Sequence, residues 1–247
     1  FTAPAFRSEY STRKKSAFSP KASLVYMPWD KTTMRASIGT AFRAPTLSDL
    51  YAKSVFSSGV TYDANPDLKP EKTTSWEIGV EQGFQSGTIF RATYYENYLS
   101  DLIYGSFTTP MLNEKKNAGK AEVKGIELEV RQQIFTGLTG FANYTYNDSK
   151  ITENSASPKS VGKQMTYTIP EQFNIGLDLD SGAWSGSVVG RYVGNSHNND
   201  QNLDTVDGVW GAQDPYFTLN AKIGYQIRKW ISASFSADNI LDKEYYQ

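Results

Sequence analysis

The chain contains no cysteine, which excludes disulfides, thiolate metal sites and cysteine nucleophiles. It has a single histidine and no hydrolase motif, so an enzyme built on loop acids and a histidine has little support. No apolar run approaches the roughly 18 residues that a membrane-spanning helix needs. The net charge of −1 over 247 residues offers neither the basic surface of a nucleic-acid-binding protein nor an acidic tail.

Apolar and polar residues alternate strictly over residues 216–240, across a tight turn predicted at Arg228-Lys229. Successive side chains of a β-strand point to opposite sides of the sheet, so this alternation predicts a two-faced hairpin. Each strand runs for roughly ten residues, against five to six in an average strand. Such length, with one apolar face, is typical of a transmembrane β-barrel. The apolar face of the first strand holds Phe217, Leu219, Ala221, Ile223, Tyr225 and Ile227.

The same alternation recurs along the chain and predicts about ten strands, joined alternately by tight turns and long polar loops. We expect the long connections at 43–69, 113–117, 148–163 and 194–214. Aromatic residues cluster near both kinds of connection, as in the two aromatic girdles of a membrane protein. The predicted fold is therefore all-β, a transmembrane antiparallel up-and-down β-barrel. A soluble β-sandwich also has alternating strands, but it does not require strands this long.

The predicted inward face carries many charges, which must meet water, each other or a second structural element. About ten strands do not enclose so many long side chains without a wider barrel, so we expect further strands elsewhere. The chain also begins at Phe1 without an initiator methionine, and we expect it to be an internal or C-terminal portion of a longer protein. The charged residues are Arg35, Glu77, Glu81, Arg91, Glu127, Glu129, Arg131, Asp178, Lys222, Arg228 and Asp238.

Two stretches, GTAFRAPTLSDLYA at 39–52 and NPDLKPEKTTSWEIGVE at 65–81, resemble the FRAP and NPxL boxes of TonB-dependent outer-membrane receptors. The resemblance continues through KNAGKAEVKGIELEV at 116–130, FANYTYNDS at 141–149 and ADNILDKEYY at 237–246. It implies that residues 1–247 are a partial barrel domain, about ten strands of a 22-stranded barrel. The plug domain, the TonB-contacting box and the final strand of such a receptor are not recognisable here.

The resemblance implies a receptor of the bacterial outer membrane that imports a scarce ligand, above all a ferric siderophore, and performs no enzymatic chemistry. Cobalamin or haem uptake by the same family, and a passive porin-like barrel, are the alternatives. The implied partners are outer-membrane lipid, the receptor's own plug domain, the TonB system and a small-molecule chelate. No cofactor and no nucleic acid are expected, and the implied state is a monomer.

Inside the FRAP stretch, Pro45 disfavours helix at Ala44 and ends the preceding strand. Thr46 is predicted to cap a short helical turn over residues 47–51, with Asp49 at the third helical position. Both boxes are therefore expected to shape an extracellular loop rather than to touch the ligand.

The loops contain aromatic rings and cations that suit a catecholate or macrocyclic ligand, through stacking and cation–π contact. No histidine lies between the two boxes, where haem receptors of the family carry one, which lowers the rank of haem. The lone histidine, His197, is expected to be solvated, and Asp200, Asp204 and Asp207 beside it match no specific metal loop. The candidate ligand-binding residues are Arg43, Tyr51, Lys53, Phe56, Tyr62, Tyr104, Phe107, His197 and Trp210.

Overall fold

The computed structural model describes residues 16–204 and 213–245. Twelve strands and one short helix, α1 (Leu47–Tyr51), account for most of these residues. No helix in the described residues has the length and apolarity needed to cross a membrane. The strands are β1 (Lys21–Trp29), β2 (Thr32–Arg43), β3 (Lys53–Val55), β4 (Thr61–Asp63), β5 (Glu71–Gly83), β6 (Thr88–Thr109), β7 (Leu112–Phe135), β8 (Leu138–Asn154), β9 (Glu171–Ser181), β10 (Trp184–Val193), β11 (Tyr216–Arg228) and β12 (Ile231–Ala237).

Ten strands form one antiparallel sheet in the order β1-β2-β5-β6-β7-β8-β9-β10-β11-β12. The order of the strands in the sheet is therefore their order along the chain. The short strands β3 and β4 form a side hairpin, and β4 also pairs with β7 in parallel. This arrangement confirms the predicted all-β, up-and-down antiparallel fold. Within the described residues the sheet does not close, because β1 and β12 each pair on one side only.

The register confirms that one face of the sheet is apolar. Ile223 lies opposite Phe235, and Tyr225 opposite Ala233, so the predicted rows of β11 and β12 share a side. No second layer in the described part of the chain covers this face: Ile175 is 56% exposed and Phe235 is 72% exposed. A β-sandwich would bury these residues between two sheets. The single sheet therefore does not support that alternative.

Charged residues on the opposite, polar face pair with one another across the strands. Arg91 bridges two carboxylates, with Nε 2.7 Å from Glu81 Oε2 and Nη1 3.0 Å from Glu129 Oε1. Arg131 of β7 pairs across β8 with Asp178 of β9, with 3.6 Å between Nη2 and Oδ2. The charges of this face were expected to contact water, one another or a second structural element, and these ion pairs are contacts of the second kind.

The long connections all lie at one edge of the sheet, which we call the loop end. The buried apolar side chains lie at this end and not along the middle of the sheet. The opposite edge, where the short turns after β1, β5, β7, β9 and β11 lie, is the turn end. We call the buried apolar residues of the described part of the chain the loop-end core. Its members are Leu68, Leu102, Ala121, Ile151 and Val193.

Three predicted boundaries were wrong. Residues 113–117 are not a polar connection but the first part of β7, and a two-residue turn joins β6 to β7 at the loop end. Strand β8 runs into the predicted loop at 148–163 and ends at Asn154. The turn after β11 lies at Lys229-Trp230, one residue later than expected. The long strands were missed because polar residues on both faces resemble a loop in sequence.

The length of the β6–β7 hairpin explains why both its faces become polar. The 22 residues of β6 extend for about 70 Å at 3.3 Å per residue, whereas the apolar band of a membrane barrel is only about 25 Å tall. The hairpin therefore projects well beyond the apolar band. The projecting part needs no continuous apolar row, because its partners are the β3–β4 hairpin and the loop-end core, to which it contributes Leu102 and Ala121.

Gly125 of β7 supports the ring of Tyr95 on the polar face of the sheet. A Cβ placed on Gly125 would lie 2.4 Å from the Tyr95 ring and 2.6 Å from the carbonyl oxygen of Tyr146. An aromatic ring over a cross-strand glycine is a known device for sheet packing. We expect Gly125→Ala to lower the free energy of unfolding by about 1–3 kcal/mol, the usual cost of overpacking.

Urea titration of the protein in lipid bilayers measures this cost. The matched control is Gly39→Ala in β2, where the nearest atoms lie at an ordinary 3.4 Å. Equal stability of the two variants would show that the Tyr95 ring and the backbone at Tyr146 adjust without cost.

Candidate functional site

The FRAP stretch ends in the capped helix that its sequence predicts. The hydroxyl of Thr46 accepts a hydrogen bond from the Asp49 backbone N–H at 3.1 Å, and the Asp49 carboxylate accepts one from the Thr46 N–H at 3.0 Å. Burial disfavours the charged carboxylate, but the bonds from Thr46 and the Lys115 ammonium, 3.6 Å away, outweigh it. Together they hold the pKa of Asp49 below its ordinary value.

The NPxL stretch is clamped between α1 and the projecting part of β7. Asn65 donates from its backbone N–H to the Asp49 carbonyl at 2.9 Å and from its side chain to the Lys115 carbonyl at 3.0 Å. Asn117 exchanges two hydrogen bonds with the backbone of Lys69. Leu68 between these contacts is 1% exposed. These contacts fit the expectation that the two boxes shape the loop.

Between the two boxes, the β3–β4 hairpin docks on the tip of the β6–β7 hairpin. Its turn contains Gly59 with φ +84°, a left-handed conformation that glycine adopts without steric cost. The backbone N–H of Thr61 donates to the Met111 carbonyl at 2.8 Å, next to the parallel pairing of β4 with β7. This pairing brings residues near 60 against residues near 110.

Three predicted ligand-binding aromatics meet at this junction. The Tyr62 ring centroid lies 5.2 Å from that of Phe56 and 6.3 Å from that of Phe107, both in edge-to-face geometry. All three rings are about half exposed. Lys53 is not among them: it lies opposite Asp63 in the β3–β4 hairpin, on the other face from Tyr62, and its Nζ is 3.2 Å from Asp63 Oδ2. We call the three rings, with Lys115, the aromatic groove.

The aromatic groove borders a cavity of about 230 Å³ lined by Phe56, Tyr62, Asn113 and Lys115, among others. Its rings offer apolar faces and edges, and the Lys115 ammonium group, 3.6 Å from Asp49 Oδ1, offers positive charge. Edge-to-face aromatic packing leaves ring faces available for a further planar group. Such a site is suited to an anionic ligand that carries aromatic rings.

The structure does not bring the other predicted site residues to this groove. Arg43 forms an ion pair with Glu71, with 2.5 Å between Nε and Oε2. Tyr51 borders a separate apolar cavity of about 310 Å³ beside the NPxL stretch. Tyr104 is partly buried, with its ring against Gly119. Trp210 lies outside the described residues.

His197 is buried, so the expectation that it is solvated was wrong. It is 9% exposed, and its Nδ1 lies 3.0 Å from Asp204 Oδ1. Burial disfavours ionisation of Asp204, but bonds from the Asn198 N–H and from His197 outweigh it and lower the pKa of that carboxyl. The His197 carbonyl accepts from the Tyr167 N–H at 2.8 Å, so the pair ties two loops together.

Asp200 and Asp204 do not form a metal site with His197: among the described residues, no group of three or more histidine and acidic side chains is suitably placed. Asp200 is directed instead toward Asn154, with 3.5 Å between Oδ2 and the amide nitrogen. Asp207 lies outside the described residues.

Sequence reasoning missed Lys115 and Asn113 as residues of the groove. Both fall within 113–117, which was interpreted as a connection, and no local pattern announces a parallel pairing between β4 and β7. The sequence held one indication of these contacts. Asn65 and Asn117 each lie beside a polar stretch, and side-chain amides often hydrogen-bond to the backbone of a neighbouring segment.

Comparison with known proteins places the chain in a family. The family model described as TonB dependent receptor-like, beta-barrel, matches residues 2–240. The fold is shared with a mutant of the ferric enterobactin receptor PfeA of Pseudomonas aeruginosa in complex with enterobactin, at 22% identity over 91% of this chain and 35% of that one, with a TM-score of 0.75. It is also shared with the copper transporter OprC, at 21% identity over 93% and 34%, with a TM-score of 0.71.

A third structure of the same fold is the ferric yersiniabactin uptake receptor FyuA of Yersinia pestis. It is 20% identical over 91% of this chain and 32% of that one, with a TM-score of 0.67. The chain thus spans about a third of the length of these structures. With a family model matched over nearly its whole length, the chain belongs to the TonB-dependent receptor family and corresponds to part of its β-barrel.

Proposed function

We propose that this chain is part of an outer-membrane TonB-dependent transporter that takes up a ferric siderophore. Receptors of this family are outer-membrane proteins that work with TonB and bind small ligands. The observation that carries the proposal is the aromatic groove, where three half-exposed rings and Lys115 meet at the loop end of a sheet with an apolar face.

The sheet itself supports membrane insertion as part of a larger barrel. An apolar face with no covering layer among the described residues suits hydrocarbon. In the described part of the chain β1 and β12 each leave one edge unpaired, and the backbone groups of such an edge find no hydrogen-bond partner in lipid. Further strands pairing with both edges close the barrel in this proposal. The polar face, with its ladder of ion pairs, then lines an interior that a plug domain fills.

The chemistry of the groove favours a catecholate chelate over haem or cobalamin. A ferric catecholate is anionic and presents flat aromatic rings, which match the ammonium group of Lys115 and the rings around Tyr62. His197, the one histidine of the chain, is buried against Asp204 away from the groove. A solved structure of the same fold that is named for ferric enterobactin is consistent with this ligand class.

Truncation of the central ring tests the ligand assignment. In the full-length receptor, we expect Tyr62→Ala to weaken binding of ferric enterobactin, used as a probe catecholate, by about tenfold, because one stacking partner and its buried area are lost. Quenching of intrinsic fluorescence on titration measures the affinity.

The matched control is Tyr26→Ala, an exposed tyrosine on the apolar face toward the turn end. It should leave the affinity for ferric enterobactin unchanged. If Tyr62→Ala also leaves the affinity unchanged, or if the parent receptor binds no ferric catecholate, the proposed ligand class is wrong.

A further inference from the structure

Asn113 lies at the centre of the aromatic groove, in one row with two of its rings. It is the register partner of Phe107 in β6 and, on its other side, of Tyr62 in β4. Directly opposed residues of paired strands share a face of the sheet. The side chain of Asn113 is therefore flanked by these two rings, whose centroids are 6.3 Å apart.

The carboxamide of Asn113 is buried without a hydrogen-bond partner in the described part of the chain. Asn113 is 6% exposed, and its side chain forms no hydrogen bond within residues 16–204 and 213–245. Two other asparagines of this region, Asn65 and Asn117, bond to backbone groups. A buried amide with no partner costs free energy, so Asn113 does not serve the fold as those two residues do.

The carboxamide lies beside space that a ligand can enter. Asn113 lines the 230 Å³ cavity together with Phe56, Tyr62 and Lys115. A Cβ at Gly105 would collide with Asn113 Oδ1, so glycine at this position leaves the space that the carboxamide occupies. The cavity is smaller than the roughly 300–1,000 Å³ of pockets that enclose a whole small molecule. It therefore suits one arm of a larger ligand.

The chemistry of the carboxamide indicates what that arm carries. An asparagine side chain presents N–H donors and an acceptor oxygen next to each other. A second amide offers the complementary acceptor and donor, so that two hydrogen bonds form side by side. The rings of Tyr62 and Phe107 beside the carboxamide pack well against a further aromatic group. An aromatic ring with an amide attached satisfies both requirements.

We propose that Asn113 is a specificity-determining residue of the aromatic groove and hydrogen-bonds an amide carried on an aromatic ring of the ligand. The inference rests on the proposed uptake of a ferric catecholate and adds a requirement on the structure of that ligand. A catecholate arm without the amide leaves Asn113 buried and unpaired, and sites of this kind reject analogues that lack the hydrogen-bonding group. The groove therefore selects among catecholates by what is attached to the ring.

Two ferric probes of equal charge and similar shape test this inference in the full-length receptor. One is the tris complex of N-methyl-3,4-dihydroxybenzamide, and the other is the tris complex of 4-propylcatechol, which lacks the amide. Quenching of intrinsic fluorescence measures the affinity for each probe. We expect the parent to bind the amide probe about tenfold more tightly, which is the effect of one or two net hydrogen bonds.

The variant Asn113→Leu removes the carboxamide at nearly constant volume. We expect it to lose the preference, through about tenfold weaker binding of the amide probe and unchanged binding of the propyl probe. Its urea midpoint in lipid bilayers should equal or exceed that of the parent, because no hydrogen bond within the protein is lost. The matched control is Asn174→Leu on the polar face, where Asn174 Nδ2 already lies 2.8 Å from Asn143 Oδ1. This control should keep the parent's preference.

Equal affinity of the parent for the two probes overturns the inference, and so does a preference that survives in Asn113→Leu. An equal loss of both probes with a lower urea midpoint overturns it too, because Asn113 would then be structural. Failure of the proposed function looks different: the parent binds neither these probes nor ferric enterobactin. A receptor that binds ferric enterobactin but shows no preference dependent on Asn113 retains the proposed function and loses only this inference.

Discussion

Arginine in place of Phe235 is expected to lower the free energy of unfolding in lipid by about 2–4 kcal/mol, the cost of a cationic side chain near the middle of a barrel's lipid-facing band. Phe235 is 72% exposed and lies opposite Ile223 on the apolar face. In water such exposure would make the substitution harmless or favourable. Whether the substitution lowers the free energy of unfolding therefore depends on whether this face contacts lipid or water.

The neighbouring residue provides the matched control. Ser234 belongs to the same strand and lies opposite Gly224, on the polar face. Ser234→Arg places the same charge at the same depth but toward the interior, and should cost far less than Phe235→Arg. Equilibrium unfolding of both variants in lipid vesicles measures the difference. Equal costs, or the larger cost at Ser234, would overturn the assignment of faces.

Leu68→Ala is expected to destabilise the loop that the two boxes build by about 2–3 kcal/mol. Leucine-to-alanine changes in a packed core cost about 2–5 kcal/mol, and the lower part of that range applies because a cavity already borders the site. Leu68 is 1% exposed beside the clamp formed by Asn65 and Asn117. Loss of its side chain leaves these hydrogen bonds around an enlarged void.

Hydrogen exchange of residues 45–70 in the full-length receptor measures this effect as faster opening of the loop. The control, Leu47→Ala, removes a leucine that is 77% exposed and should leave exchange unchanged. Because the loop supports the hairpin that carries Tyr62, Leu68→Ala should also weaken ligand binding. Exchange as slow as in the parent would show that the loop does not depend on this side chain.

The sheet could be predicted from sequence because a membrane barrel, as proposed here, follows one simple rule. Residues such as Leu219 and Ile223 would face hydrocarbon while their neighbours would not, so alternation is strict over each crossing. The same alternation predicted tight turns between the strands, and two of those observed contain Gly87 and Gly137, both of which have positive φ. The helix cap at Thr46 was predictable because a capping box is a local motif.

Beyond the apolar band the rule no longer applies, and prediction from sequence failed there. The first residues of β7 alternate in no recognisable way because they lie beyond the apolar face, and pairing with β6 and with β4 keeps them extended. The burial of His197 depends on Asp204 and on a loop from another part of the chain. Such contacts between distant segments leave no periodic signal.

The candidate site was only half predictable for the same reason. Composition identified Phe56, Tyr62 and Phe107 as exposed loop aromatics, and the structure joins them. Composition alone does not separate them from Tyr51 and Tyr104, which lie elsewhere. The parallel pairing of the β3–β4 hairpin with β7 is what brings the three groove aromatics together, and it cannot be read from composition.

The most direct test of the account is the accessibility of single cysteines along β11 (Tyr216–Arg228). The chain has no native cysteine, so each introduced thiol is the only one that this chain contributes. Each site carries a nitroxide label in the full-length receptor in lipid bilayers, and its relaxation is measured with oxygen and with a water-soluble nickel chelate. The account predicts a two-residue period, with labels at Leu219, Ala221 and Ile223 more accessible to oxygen and labels at Asn220 and Lys222 more accessible to the chelate. A profile without this period, or with its phase reversed, would contradict the account.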